Sequence, residues 1–208
     1  MALQEFLEMT QEITPDEDLA LQAKAGERLS FEELVDRYSG RLYHFLQPKI
    51  ASGQDIEDIV QEAFLKAYRN IDRYNPQWKF STWIYTITNR LAIDYFRVQA
   101  KEDAGVIPEE NELNPEEQYV EHIEKQNLWR KARKLKPDYY KVLWMRYAEG
   151  MTNKEIARVM GRTSMAVRML VRRAKMNLAE ELEPGSSGAK EKARPSVYEK
   201  SSFYIGGE

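Results

Sequence analysis

Cysteine is missing altogether, which removes disulfides, zinc ribbons and thiol nucleophiles together. Histidine occurs only as His44 and His122, and no HExxH, glycine-rich phosphate loop or nucleophile elbow is present. Acidic residues are plentiful but lie on amphipathic faces, so neither catalysis, nor a metal site, nor a cofactor is expected. No apolar run approaches the roughly 18 residues of a spanning helix, so no membrane insertion is expected. The start, MALQEFLEMTQEITPDED, is acidic and lacks the positive and apolar segments of a signal peptide. The expected location is the cytoplasm. Alternating Val, Ile and Thr are lacking too, which argues against sheet.

What is present is a charge-rich globular chain of 208 residues, 42% hydrophobic and 31% charged, enough for one ordinary domain or two small ones. Its net charge of −3 conceals a strong asymmetry. Residues 1–99 carry 11 basic and 16 acidic side chains, residues 100–127 carry 2 and 9, and residues 128–183 carry 14 and 6. A polyanion meets the local field of the last segment, so the acidic pI is a poor guide to partners.

The periodicity is helical almost throughout, and the expected fold is all-α. Residues 16–49 read as a helical pair broken near Gly26, with Phe31, Leu34, Val35, Tyr38, Leu42 and Phe45 on one stripe of the second member. Residues 55–70 form one apolar face from Ile56, Ile59, Val60, Ala63, Phe64 and Ala67. Asn75-Pro76 interrupts the helix. Ser81 or Thr82 can cap the next one, which runs to about Gln99 with Ile84, Ile87, Leu91 and Tyr95 inward. From Ala100 to about Gln118 periodicity lapses in a carboxylate-rich stretch with two prolines, the composition of a flexible linker. Helices are expected from Tyr119 to Lys134 and from Leu135 to Gly150. The division is thus 1–99, a linker 100–118, 119–183, and a flexible tail 184–208.

Thr152-Asn153-Lys154-Glu155 has the spacing of a capping box, and Gly161 can supply a left-handed stop eight residues after Asn153. SMAVRMLVRRAKMNL then begins a second helix, and the pair reads as a helix-turn-helix. On that helix Val167, Leu170, Val171, Ala174 and Leu178 share one arc. The opposite arc gathers Met165, Arg168, Met169, Arg172, Arg173 and Met176, with Arg162 and Thr163 just before it and Lys175 at its border. Such a face suits the major groove, where a guanidinium forks onto guanine or grips phosphate. The alternative, a solvated basic face, is disfavoured by the capping box, the glycine turn and the local charge.

Three segments in order, DIEDIVQEAFLKAYRNIDRYNP, FSTWIYTITNRLAIDYFR and GMTNKEIARVMGRTSMAVRMLVRRAKMNL, resemble a bacterial sigma factor of the sigma-70 family. The two-domain layout is similar to its extracytoplasmic-function group. The resemblance implies a transcription initiation factor whose first domain docks on the clamp of the β′ subunit of core RNA polymerase, and whose second meets the β flap and reads a promoter −35 element. It implies promoter DNA and an anti-sigma factor of unspecified type as further partners. Asp58, Gln61 and Glu62, at i, i+3 and i+4, would form the docking patch. The segment that opens and holds the −10 element would draw on Tyr74, Asn75, Trp78 and Lys79 in a loop, and on Thr82, Tyr85, Thr86, Asn89 and Arg90 on the following helix. Flat side chains there replace lost stacking, each captured base being worth about 1–3 kcal/mol. Phe80, Trp83, Tyr95 and Phe96 are expected in the core instead. The acidic linker would thread the polymerase's basic cleft, or serve only as a spacer. A free-standing helix-turn-helix regulator would explain residues 135–180 but leave the first domain without a task, and an anti-sigma or adaptor protein would not need the basic helix.

Overall fold

A computed structural model describes residues 14–102 and 120–182, and within them all regular structure is helical. The expected tail, nearly all of the expected linker and the first 13 residues lie outside the described residues. No described helix is long and apolar enough to cross a membrane.

The first domain is built from four helices. Helix α1 (Asp16–Lys24) opens with Asp16, Glu17 and Asp18, which suit the positive end of the helix dipole. Gly26, at φ +101°, turns the chain into α2 (Arg28–Leu46). Asp16 ties the two together: it accepts from Arg37 Nη1 at 2.7 Å and from Tyr38 Oη at 2.5 Å. Helix α3 (Gly53–Arg69) is capped by Ser52, whose hydroxyl accepts from the Asp55 amide. It buries the expected stripe from Ile56 to Ala67, with Phe64 edge-on to Phe31 of α2.

Helix α4 (Phe80–Glu102) closes the core through Phe80, Ile84 and Ala92. It begins one residue before the expected caps, so Ser81 and Thr82 are interior residues. The acceptor comes from another helix, with the Phe80 amide donating to Glu17 Oε1 at 3.2 Å. At its far end α4 runs three residues into the expected linker. Of the aromatics expected in the core, Phe80 is fully buried, whereas Trp83, Tyr95 and Phe96 pack half-buried against it. Each large apolar side chain fully buried here contributes about 1.5–3 kcal/mol.

The second domain starts with α5 (Val120–Arg133) and α6 (Pro137–Leu143), the latter carrying proline at its first position. Where a single helix to Gly150 is expected, α6 widens into a π turn, Trp144–Ala148. Trp129, Tyr140 and Trp144 form an aromatic cluster with ring centroids 5.0–5.9 Å apart. Helices α7 (Asn153–Met160) and α8 (Ser164–Leu182) are the helix-turn-helix. The capping box is complete: Thr152 N donates to Glu155 Oε2 at 2.6 Å, and the Glu155 amide returns to Thr152 Oγ1 at 3.3 Å. Gly161 takes the left-handed conformation, φ +62°.

Loss of that cap should be measurable. Thr152→Ala should destabilise the chain by about 1 kcal/mol in urea unfolding, whereas Thr152→Ser should be close to neutral.

Candidate nucleic-acid interface

Helix α8 is divided lengthwise. Val167 and Ala174 are fully buried, and Leu170, Val171 and Leu178 pack half-buried beside them. Met165, Arg168, Met169, Arg172, Arg173 and Lys175 are exposed on the other side. Thr163 caps the helix, accepting from the Ala166 amide at 3.2 Å. Arg162 is drawn to Asp138 at 2.7 Å, which pins the turn to the start of α6. Arg168, Arg172 and Lys175 border an open groove of about 420 Å³ with Arg146, Tyr147 and Asn153. None of the α8 cations from Arg168 to Lys175 has a carboxylate partner among the described residues, so their field is directed to solvent.

Asp58 and Gln61 are exposed and Glu62 half-exposed on α3. Gln54 Nε2 donates to Asp58 at 3.3 Å, and Glu62 pairs loosely with Lys66 at 3.6 Å. Beside this patch an apolar groove of about 530 Å³ opens between α2 and α3, floored by Phe31, Val35, Val60, Phe64 and Tyr68. A polar rim around an apolar floor is the composition of a protein-binding surface.

The 74–80 loop is well braced. Asn75 Oδ1 accepts from the Gln77 amide at 2.9 Å, an Asx turn, and Trp78 N donates to Asn75 O at 3.0 Å. Asn75 and Lys79 are exposed. Tyr74 departs from the expectation of an available stacking ring. It is buried, 5.4 Å from Trp83 and 6.0 Å from Phe80, and its hydroxyl donates to Trp78 O at 2.8 Å. Its place is that of a post supporting the loop from inside.

Helix α4 departs further. Arg90 is exposed and Thr86 half-buried, but Thr82, Tyr85 and Asn89 are buried. The periodicity places these residues opposite Ile87 and Leu91, and the face they occupy is covered by the second domain. Trp144 Nε1 donates to Tyr85 Oη at 3.0 Å, and Tyr85 packs edge-on to Phe45. Burial, then the charge of Glu149, pushes the Tyr85 phenol well above its ordinary range. Asn89 uses its whole amide across the boundary: Nδ2 donates to Val159 O at 3.1 Å, and Oδ1 accepts from Lys141 Nζ at 2.7 Å. The Trp78 ring is capped by the Arg158 guanidinium at 4.0 Å and by Lys154 at 5.4 Å. Arg41 clasps Glu149 through both Nε and Nη2, at 3.0 and 2.5 Å, and Tyr140 Oη donates to His44 O at 3.0 Å.

Lys141, Trp144, Glu149, Lys154 and Arg158 were not anticipated as partners of the first domain. One signal was available. Lys141 is a lone charge inside the apolar run YYKVLWM, and a charge in such a run has to find a partner.

Comparison with known proteins matches residues 34–102 to sigma-70 region 2 and residues 125–178 to sigma-70 region 4. The chain is 31% identical over 168 residues to the ECF RNA polymerase sigma factor BldN of Streptomyces coelicolor, covering 78% of this chain and 64% of that protein. The chain thus spans just under two thirds of that relative's length. Its match to the ECF RNA polymerase sigma-E factor of Escherichia coli is 29% identical and covers 85% of this chain and 98% of that protein. Among solved structures, the sigma factor RpoE of Bartonella quintana, in complex with the anti-sigma factor NepR, superposes with a TM-score of 0.63 at 21% identity. That superposition covers 73% of this chain and 96% of RpoE.

The buried lysine gives the boundary a pH signature. Burial, with Lys49 as a nearby like charge and Asp138 opposing, pulls the Lys141 pKa down to about 7. An unfolded lysine titrates near ~10.4. Between those values the unfolded chain holds more protons than the folded one, so stability from this group rises with pH. The melting temperature of the wild type relative to Lys141→Met should therefore climb from about pH 7 to pH 10 and stay level below pH 6.

Proposed function

The chain belongs to the extracytoplasmic-function group of the sigma-70 family of transcription initiation factors, and we propose that it recruits core RNA polymerase to promoters read by two separate helical domains. The observation that carries this reading is the unneutralised cationic face of α8 on a capped helix-turn-helix. That face offers Arg168, Arg172 and Arg173 to a −35 element, with Arg162, Thr163, Met165, Met169 and Lys175 around them. Guanidinium groups there can fork onto guanine edges or neutralise phosphates, and the exposed methionines can meet thymine methyls.

The first domain takes the −10 element. Trp78 supplies a stacking face, Asn75, Lys79 and Arg90 supply donors to base edges and phosphates, and Thr82, Tyr85, Thr86 and Asn89 line the adjoining face of α4. Tyr74 acts from beneath, holding the loop. Asp58, Gln61 and Glu62, with the neighbouring apolar groove, form the surface for the polymerase clamp, and the second domain would meet the β flap. An anti-sigma factor is a further expected partner, as NepR is for RpoE of Bartonella quintana.

Two substitutions separate these roles. Arg168→Ala or Arg172→Ala should weaken promoter binding about tenfold and flatten the dependence of log K on log salt by about one unit each. Trp78→Ala should leave duplex binding intact while reducing permanganate reactivity of thymines around −10 in the complex with polymerase. An unchanged footprint would exclude the loop from strand capture.

A further inference from the structure

We propose that the chain, when free of polymerase, is shut by its own helix-turn-helix domain, which sits on the α4 face and the Trp78 loop in the place of unpaired DNA. This rests on the reading above, that α4 and the loop hold the −10 strand.

The two occupants are mutually exclusive. The base-facing groups of α4 are already engaged: the Asn89 amide holds Val159 and Lys141, and Tyr85 lies beneath Trp144. Arg158 lies over the Trp78 ring at 4.0 Å, as a stacked base would. A guanidinium is flat and delocalised, and it competes for the same π face. Distance makes the same point. Elements centred at −35 and −10 are ~85 Å apart at about 3.4 Å per base pair, whereas here α4 and α7 touch through Asn89 and Val159. A chain in this arrangement cannot read both.

The contacts are of a kind that can be exchanged. Their polar part is an ion pair, a buried lysine, an amide and two cation–π contacts, all of which polymerase and DNA can replace. Arg41 keeps about two fifths of its side chain in solvent while its partner Glu149 is 1% exposed, so the clasp is approachable from one side. Residues 103–119 join the two domains, and at ~3.5 Å per extended residue they could span about 60 Å. The covalent connection therefore permits release.

The absence of cysteine supplies the test. Arg41→Cys/Glu149→Cys, joined by a reducible bis-maleimide, fixes the two domains together with the only thiols in the chain. Single-round run-off transcription with core RNA polymerase, on a promoter selected from a genomic library, should fall at least tenfold for the cross-linked chain and return on reduction. Equal transcription before and after reduction would overturn the inhibition while leaving the initiation reading in place. Failure of the wild type as well as the reduced variant would overturn that reading and the inhibition with it. In parallel, Arg41→Glu sets two carboxylates against each other at the clasp and removes a positive charge. It should nonetheless raise the affinity of the free chain for a labelled single-stranded DNA 20-mer of randomised sequence several-fold, by anisotropy. The swap Arg41→Glu/Glu149→Arg should reverse the gain, and unchanged affinity in Arg41→Glu would count against the proposal.

Discussion

Asn89 spends both ends of one amide on the second domain, and the arrangement of the whole molecule follows from that commitment. An amide buried at 6% exposure must have partners for its donors and its acceptor. Only Val159 O and Lys141 Nζ supply them in this structure. Removing either would leave a buried polar group unmade at a cost of about 1–3 kcal/mol. Lys141 is committed in the same way, since its ammonium has left water for Asn89 and the face of the Phe45 ring at 4.9 Å. The two domains are therefore held by polar groups that are satisfied only in each other's company. An apolar seam of similar size would be harder to reopen, because it would expose hydrocarbon to water rather than exchange one set of hydrogen bonds for another.

Features fixed by near neighbours could be read from the sequence. The Thr152–Glu155 box and Gly161 are decided within eight residues of each other, and both take the expected form. The α3 stripe from Ile56 to Ala67 and the α8 arc from Val167 to Leu178 depend only on helical period, and each packs as that period requires. Errors arise where a partner comes from far along the chain. Ser81 and Thr82 are good local caps, yet Glu17, 63 residues away, takes the position.

The candidate site shows the same division. The α8 cations are exposed because nothing distant competes for them. On α4, periodicity separates Ile84 and Leu91 from Tyr85 and Asn89 but cannot tell a solvated outer face from one covered by a second domain. The covering residues lie 52 to 108 positions away. Tyr74 illustrates a smaller version of the problem. The Asn-Pro pair marks a loop, but whether a loop aromatic points out or in depends on the Phe80 and Trp83 rings that await it.

The π turn at Trp144–Ala148 has a mechanical consequence. In a regular α-helix, residues five apart point about 140° away from each other. Here the Glu149 amide reaches back to Trp144 O at 3.2 Å, and the wider turn brings both side chains to the same neighbour, one to Tyr85 and the other to Arg41. Such turns are often retained at working surfaces. The hold of one domain on the other is therefore a matter of residue count as well as residue type. Deleting a single residue between positions 144 and 149 would put the helix back in ordinary register and pull the two grips apart, with every side chain that makes them still present.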